Sequence, residues 1–174
     1  MNAALERARA LRLMAFDVDG VLTDGALHFT DGGEEMKSFH TLDGLGLKLL
    51  AGAGVELALI TGRSSRVVAK RAAELGITRL FQGAEDKLAV LEALRAQLGL
   101  ALSACGYMGD DLPDLPLLVR CGFAATVPDA PEAVRARAHY VSRRAGGHGA
   151  VREVCEVILA ARGALEGAIG RYLT

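Results

Sequence analysis

The sequence contains no tryptophan, few aromatic residues and only 4 prolines. It also has no excess of charge of either sign, since the formal net charge is -1, so it offers no basic surface of the kind that nucleic acids or anionic membranes bind. No apolar run is long enough to span a bilayer, and the N-terminal segment has no signal-peptide apolar core. We therefore expect a cytoplasmic protein that binds neither nucleic acid nor membrane.

Cysteine is also scarce, and its three positions, Cys105, Cys121 and Cys155, are widely spaced and form no Cys-x-x-Cys pair. This pattern predicts buried free thiols in a reducing compartment. The four histidines have no mutual spacing typical of a zinc site, so a zinc-dependent function is not indicated.

What the chain has is a regular alternation of short apolar runs with helical patterns. Half of its 174 residues are hydrophobic, which is enough for the core of a single domain over residues 1–174. Six runs have the character of strands: Leu13–Val18, Glu56–Thr61, Leu80–Gln82, Cys105–Gly109, Phe123–Val127 and His139–Ser142. The alternation predicts an α/β fold with a doubly wound, mostly parallel sheet covered by helices on both faces.

One segment interrupts this alternation. Leu27–Thr30 and Met36–Phe39 flank Asp31-Gly32-Gly33, which predicts a β-hairpin flap over residues 25–40. The hairpin and a predicted helix over Gly44–Leu50 fill most of the chain before the second sheet strand, so there is no room for a cap domain. The last residues, 163–174, are predicted to form a mobile C-terminal tail.

Three acidic residues, Asp17, Asp19 and Asp24, follow the first predicted strand. Asp17 and Asp19 are two residues apart, so on an extended chain both side chains point to one side. Two carboxylates held this close favour a divalent cation between them. Asp24 is interpreted differently, as a hydrogen-bonding residue of the turn at the base of the flap.

Chemistry-bearing residues follow four successive predicted strands. They are Asp17-x-Asp19, Thr61-Gly62-Arg63, Lys87 and Gly109-Asp110-Asp111-x-x-Asp114. The carboxyl ends of parallel strands meet at one edge of a sheet, where α/β proteins bind their ligands. Each feature alone is common, but together and in this order they predict a metal-assisted phosphoryl-transfer site.

In these motifs the chain resembles the haloacid dehalogenase superfamily of phosphatases. Within it, the chain is similar to the capless phosphatases of 3-deoxy-D-manno-octulosonate 8-phosphate, a precursor of lipopolysaccharide. That similarity covers Asp-Val-Asp-Gly-Val-Leu-Thr-Asp-Gly (17–25), Asp43-Gly44-Leu-Gly46, Ile-Thr-Gly-Arg (60–63), Leu-Gly-Ile-Thr (75–78), Gly-Asp-Asp (109–111) and Ala-Gly-Gly-His-Gly-Ala-Val-Arg-Glu (145–153). The resemblance implies a Rossmann-like fold and hydrolysis of this sugar phosphate.

Phosphoryl transfer gives each residue a role. Asp17 is the expected nucleophile, which forms an aspartyl-phosphate, and Asp19 is the expected general acid and base. Mg²⁺ is expected on Asp17, the Asp19 backbone carbonyl and Asp110. Thr61 and Lys87 are expected to donate hydrogen bonds to the transferring group. Asp111 and Asp114 are expected to orient the ligands or Lys87, although Asp114 could instead cap a helix.

The resemblance also implies a set of substrate-binding residues. They are Asp19, His40, Thr41, Leu42, Asp43, Gly44, Lys48, Gly62, Arg63, Arg71 and Lys87, with residues 40–44 forming a substrate-contacting loop. The basic members of the set have an alternative interpretation as surface charges. Lys48 and His148 stand where related chains carry arginine.

The resemblance further implies a homotetramer, in which hairpins pack together and the C-terminal tail of a neighbour covers the site. The predicted hairpin is apolar enough for such a contact, although it could instead fold onto its own domain. His148 keeps open a related phosphatase activity on a nine-carbon keto-sugar 9-phosphate. A catalytically silent binding domain and a receiver-type signalling domain are the remaining alternatives, but neither has a use for both Asp19 and Lys87.

Overall fold

A computed structural model of the protein describes residues 2–173. The strands are β1 (Leu13–Phe16), β2 (His28–Phe29), β3 (Glu35–Met36), β4 (Glu56–Ile60), β5 (Arg79–Phe81), β6 (Cys105–Met108), β7 (Phe123–Thr126) and β8 (Tyr140–Val141). The α-helices are α1 (Asn2–Arg9), α2 (Thr41–Gly52), α3 (Arg66–Leu75), α4 (Lys87–Gln97), α5 (Leu115–Leu118), α6 (Glu132–Arg135), α7 (Ala150–Ala161) and α8 (Leu165–Gly170). Two 3₁₀ turns span Leu102–Ala104 and Leu112–Asp114.

Six strands form one parallel sheet in the order β5-β4-β1-β6-β7-β8. The chain winds outward from β1 through β4 to β5, and then returns to β6 and winds outward on the other side. Because crossovers between parallel strands are right-handed as a rule, this order puts α2 and α3 on one face and α4 on the opposite face. The predicted doubly wound α/β fold is confirmed, and its switch point lies between β1 and β6, where such sheets bind ligands.

The central strand β1 is buried along its whole length, because every residue of Leu-Met-Ala-Phe packs inside the core. The boundaries of α3 follow from the residues at its two ends. Ser65 caps its N-terminus by accepting from the Val68 amide, and Gly76 ends it in the left-handed conformation at φ 72°. Cys105, Cys121 and Cys155 are buried and unpaired, as predicted. Among the described helices, none combines the length and apolar character needed to cross a bilayer.

Strands β2 and β3, which follow β1 in the chain, pair as an antiparallel hairpin. Its paired strands are shorter than the predicted ones, and the second begins at Glu35 instead of Met36. A second correction concerns residues 40–44, which were predicted to be a loop. Residues 41–44 instead form the first turn of α2, with the Nδ1 atom of His40 accepting from the Leu42 amide at 3.2 Å.

Candidate active site

The carboxyl ends of β1, β4 and β6 lie side by side and border a cavity of about 490 Å³. The predicted site residues in its wall are Asp17, Asp19, Thr61, Gly62, Arg63, Lys87, Asp110, Asp111 and Asp114. The parallel sheet explains this convergence, because each of these residues follows a strand end or begins the next helix. Four sequence features up to 97 residues apart thus form one site.

Asp17 is at the centre of the site and is mostly buried. Its Oδ2 atom accepts from Lys87 Nζ at 2.5 Å, and its Oδ1 atom accepts from the Val18 amide at 2.7 Å. Burial and then the negative charge of Asp114 raise the pKa of Asp17, which Lys87 opposes only in part. The orientation of the carboxylate is therefore fixed, and further positive charge near it would stabilise its ionised form.

Asp114 holds Lys87 in place, as one of its two predicted roles requires. Its Oδ1 atom accepts from Lys87 Nζ at 2.7 Å and from the Tyr107 hydroxyl at 2.8 Å. Its Oδ2 atom accepts from the amides of Asp110 and Asp111 at 3.0 and 3.2 Å. Desolvation of Lys87 lowers its pKa, but Asp17 and Asp114 outweigh this and raise it overall, so the lysine is an ammonium at neutral pH.

The site has the donors and the charge for a divalent cation. Carboxylate oxygens of Asp17, Asp110 and Asp114 lie within 4.8 Å of one another. When all three are ionised, they exceed the charge of the Lys87 ammonium by two. Burial, followed by the charge of Asp17, raises the pKa of Asp110 to about 7. Since Asp114 is fully engaged, Asp17 and Asp110 are the side chains that fit Mg²⁺, which prefers oxygen ligands.

Gly20 is required for this arrangement. Its φ is +82°, and a Cβ atom at this position would collide with the Asp110 carboxylate. The side chain of Asp19 lies outside the group of three carboxylates, so its predicted metal contact would come from its backbone carbonyl.

We expect Mg²⁺ to stabilise the protein more at pH 8 than at pH 5. Burial and neighbouring carboxylates raise the pKa of Asp110 from 3.8 to about 7 in the folded chain. At pH 5 the metal-free folded state therefore retains a proton that the unfolded state has already lost, and at pH 8 the folded state has lost it too. The free energy of unfolding of the metal-free protein therefore decreases as pH rises, whereas bound Mg²⁺ removes the repulsion. Thermal unfolding with EDTA or Mg²⁺ at both pH values measures this. An equal increase in Tm at both would contradict it.

Two residues of the hairpin, Glu35 and Lys37, also lie at the site, although the sequence motifs do not include them. Lys37 Nζ donates to Asp19 Oδ1 and lies 3.2 Å from Glu35 Oε1. Arg63 completes a ring of alternating charges, with Nη2 3.3 Å from Glu35 Oε1 and Nε 3.8 Å from Asp19 Oδ2. Their spacing is a usable signal, because residues two apart on an extended chain lie on the same side of it.

The structure does not bring all predicted substrate-binding residues to the cavity wall. Residues 40–44, Lys48 and Arg71 lie outside it. Asp43 is buried, and its carboxylate accepts from the amides of Gly149 and Arg152 at 3.3 and 2.8 Å, so it connects α2 to α7. We therefore leave Asp43 out of the groups proposed to bind substrate.

Arg71 and Gly44 are adjacent to each other. The guanidinium of Arg71 lies 5.9 Å from the Phe39 ring centroid, and a Cβ atom on Gly44 would collide with it. Gly44 thus leaves room for Arg71 between α2 and α3. The side chain of Lys48 is exposed, and substrate contacts of both basic residues remain predictions.

A second cavity, of about 470 Å³, lies on the other side of Asp110, and His148 is in its wall. The Gly146-Gly147 segment packs directly on the turn that follows β1, where the Gly147 amide donates to the Val21 carbonyl at 3.0 Å. Asp24 accepts from the Ala26 amide at 3.0 Å, which fits its predicted role in the turn. His148 is thereby held beside the acidic site.

Known proteins with the same motifs are similar over nearly the whole chain, although no protein-family model matches it. The 3-deoxy-D-manno-octulosonate 8-phosphate phosphatase KdsC of Yersinia pestis is 44% identical over 166 residues, which are 95% of this chain and 89% of that protein.

Two solved structures extend the comparison. The 3-deoxy-D-manno-octulosonate 8-phosphate phosphatase of Moraxella catarrhalis, in complex with magnesium, phosphate and KDO, is 46% identical with a TM-score of 0.97 and covers 99% of both chains. A haloacid dehalogenase superfamily hydrolase of subfamily III A from Legionella pneumophila is 46% identical with a TM-score of 0.95, over 99% of this chain and 95% of that one. The chain belongs to the 3-deoxy-D-manno-octulosonate 8-phosphate phosphatase family of the haloacid dehalogenase superfamily.

Proposed function

We propose that this chain is a Mg²⁺-dependent phosphatase that hydrolyses 3-deoxy-D-manno-octulosonate 8-phosphate to the free sugar and phosphate, in the synthesis of lipopolysaccharide precursors. The observation that carries the proposal is the buried Asp17 carboxylate, held by Lys87 at the switch point of the sheet beside Asp110. The family relationship and the Moraxella catarrhalis complex support this substrate.

In the first half of the reaction, an Asp17 oxygen attacks phosphorus. The bond between phosphorus and the sugar oxygen breaks, and Asp19 gives its proton to that oxygen. Lys87 and Thr61 donate to the phosphoryl oxygens, where charge is concentrated in the transition state. The Thr61 hydroxyl accepts from the Arg63 amide at 3.4 Å, which leaves its hydrogen for this donation.

In the second half, water attacks phosphorus and the Asp17–phosphorus bond breaks. Asp19 takes the proton of that water, and phosphate leaves. Mg²⁺ held by Asp17 and Asp110, with the Asp19 carbonyl, would neutralise charge on the phosphoryl oxygens. Arg63, on the rim of the cavity, and Gly62 are proposed to contact the anionic substrate.

The test is phosphate release with Mg²⁺ from 3-deoxy-D-manno-octulosonate 8-phosphate, a nine-carbon keto-sugar 9-phosphate and 4-nitrophenyl phosphate. We expect the highest kcat/KM for the eight-carbon sugar. Preference for the nine-carbon sugar would leave the proposed mechanism in place and contradict the proposed substrate. His148→Arg would then be the first variant to test for a change in substrate preference. No turnover of any of the three would contradict the proposal and favour a binding domain.

We also propose that the protein forms a homotetramer in the cytoplasm and that residues 25–40 and 163–174 contribute to its contacts. Phe29 and Met36 on the hairpin are each 57% exposed, and Tyr172 and Leu173 near the C-terminus are exposed as well. The three reduced cysteines suit the proposed compartment.

We expect light scattering to give a mass about four times that of the chain, as the proposed tetramer requires, and Phe29→Glu to reduce it, because a charge on this apolar surface opposes its burial. The matched control is Glu34→Gln, which changes an exposed residue of the same hairpin without adding charge to the apolar surface. A monomeric wild-type protein would contradict the proposal.

A further inference from the structure

The side chain of Lys37 is buried, although the hairpin that carries it is largely exposed. That side chain is only 1% exposed, and its ammonium contacts Asp19 and Glu35. A buried ammonium is costly unless it is paired, so a lysine held in this way has a defined geometry. We infer that Lys37 is a positioning residue for Asp19, an inference that rests on the proposed function.

The contacts of Asp19 fix its orientation as well as its charge. Lys37 donates to Oδ1, while Arg63 approaches Oδ2 at 3.8 Å from the opposite side of the ring. Glu35 Oε1 contacts both cations, at 3.2 Å from Lys37 and 3.3 Å from Arg63, and so bridges them at a fixed spacing. A general acid must lie within hydrogen-bond reach of the leaving oxygen, and these contacts restrict the rotation of the Asp19 carboxyl group.

Of the two cations, Lys37 carries most of this positioning. The side chain of Arg63 is 44% exposed and its contact with Asp19 is long, so solvent weakens that interaction. Lys37 is shielded from solvent, and its contact with Asp19 is direct. The hairpin therefore contributes a side chain to the organisation of the reacting groups.

The consequence for the reaction depends on the leaving group. A sugar alkoxide is a poor leaving group, so its departure requires the proton of Asp19. The 4-nitrophenolate ion leaves without a proton, so its release is insensitive to Asp19. In the second half-reaction, the Asp19 carboxylate must receive a proton from water for either substrate, and Lys37 holds that carboxylate in place.

The experiment measures single-turnover release of the alcohol from the sugar phosphate and from 4-nitrophenyl phosphate in wild type, Lys37→Met and Lys37→Arg. We expect Lys37→Met to slow release of the sugar by about 10²-fold, the scale of general acid catalysis, and to leave release of 4-nitrophenol nearly unchanged. With 4-nitrophenyl phosphate, whose first step is unchanged, phosphorylated Asp17 should accumulate in this variant, as detected by mass spectrometry after an acid quench. Lys37→Arg should restore part of the rate.

The matched control is Glu34→Gln, which removes a charge from an exposed position of the same hairpin and should behave as wild type. Thermal unfolding identifies variants that fail to fold. If Lys37→Met is one of them, Glu35→Gln replaces it, because it removes one of the two negative charges that hold Lys37. It should give the same selective slowing of sugar release, by a smaller factor.

Equal slowing of single-turnover alcohol release from both substrates, or an increase in KM alone, would overturn the inference. Lys37 would then act on binding or folding instead of on Asp19. A wild-type protein inactive on both substrates would instead overturn the proposed function, and the inference with it. The two failures are thus distinguishable by the wild-type result.

Discussion

Asp17→Asn is expected to abolish phosphate release from every substrate, by about 10⁴-fold or more, the scale on which enzymes lose activity with their covalent nucleophile. An amide oxygen next to Lys87 keeps the shape of the side chain but not the charge that attacks phosphorus. The substrate should still bind, since Thr61, Arg63 and Lys87 remain in the cavity wall. Assays of turnover and of substrate binding by calorimetry measure both effects.

The same substitution should not destabilise the metal-free protein. Since burial and Asp114 raise the pKa of Asp17, its ionised form is disfavoured in the folded chain, and an amide removes that cost. In EDTA at pH 8, the Tm of Asp17→Asn should equal or exceed that of wild type. A variant that retains turnover would show that Asp17 is not the nucleophile. A variant whose Tm is lower than that of wild type would contradict the stability prediction.

Lys87→Met is expected to have the largest effect on stability. Lys87 is 7% exposed and, among the described residues, is the only one whose ammonium contacts both Asp17 and Asp114. Its loss leaves these carboxylates and Asp110 without a cation among the contacts of the described residues, and removal of one partner of a buried ion pair costs about 3–5 kcal/mol. The variant should also lose about 10²–10³-fold in kcat, because a preorganised donor to the phosphoryl group is absent.

Chemical denaturation in EDTA and in Mg²⁺ measures the first effect. Mg²⁺ should recover part of the stability of Lys87→Met, because it supplies positive charge to the same carboxylates. The matched control is Lys70→Met, which removes a lysine from the exposed surface of α3 and should change stability little. If Lys87→Met were as stable as wild type in EDTA, the repulsion among the three carboxylates would be unimportant.

The fold and the reacting groups could be predicted from the sequence because both follow from local patterns. Short apolar runs between helical patterns specify a parallel sheet. The residues at the carboxyl ends of its strands then lie at one edge of the sheet, independently of the loop conformations. The same reasoning brought Asp17, Thr61, Lys87 and Asp110 together. It did not require knowledge of any single side-chain contact.

The remaining features depend on contacts that a pattern does not specify. Lys37 is polar and lies on a short hairpin, which is typical of a solvated residue, and its burial results from the way the hairpin folds toward Asp19. Asp43 follows a leucine and precedes a glycine in a predicted loop, but the chain begins a helix there and turns the carboxylate toward α7. Both outcomes depend on tertiary packing.

The contact between Asp43 and the N-terminus of α7 joins parts of the chain that are 106 residues apart at Gly149. Both α1 and α2 also pack against α7, so two helices from the first third of the chain complete their packing with a helix from the last quarter. During synthesis on a ribosome, the apolar faces of α1 and α2 stay uncovered until residues 150–161 have emerged. This part of the core therefore forms only after α7 has been synthesised.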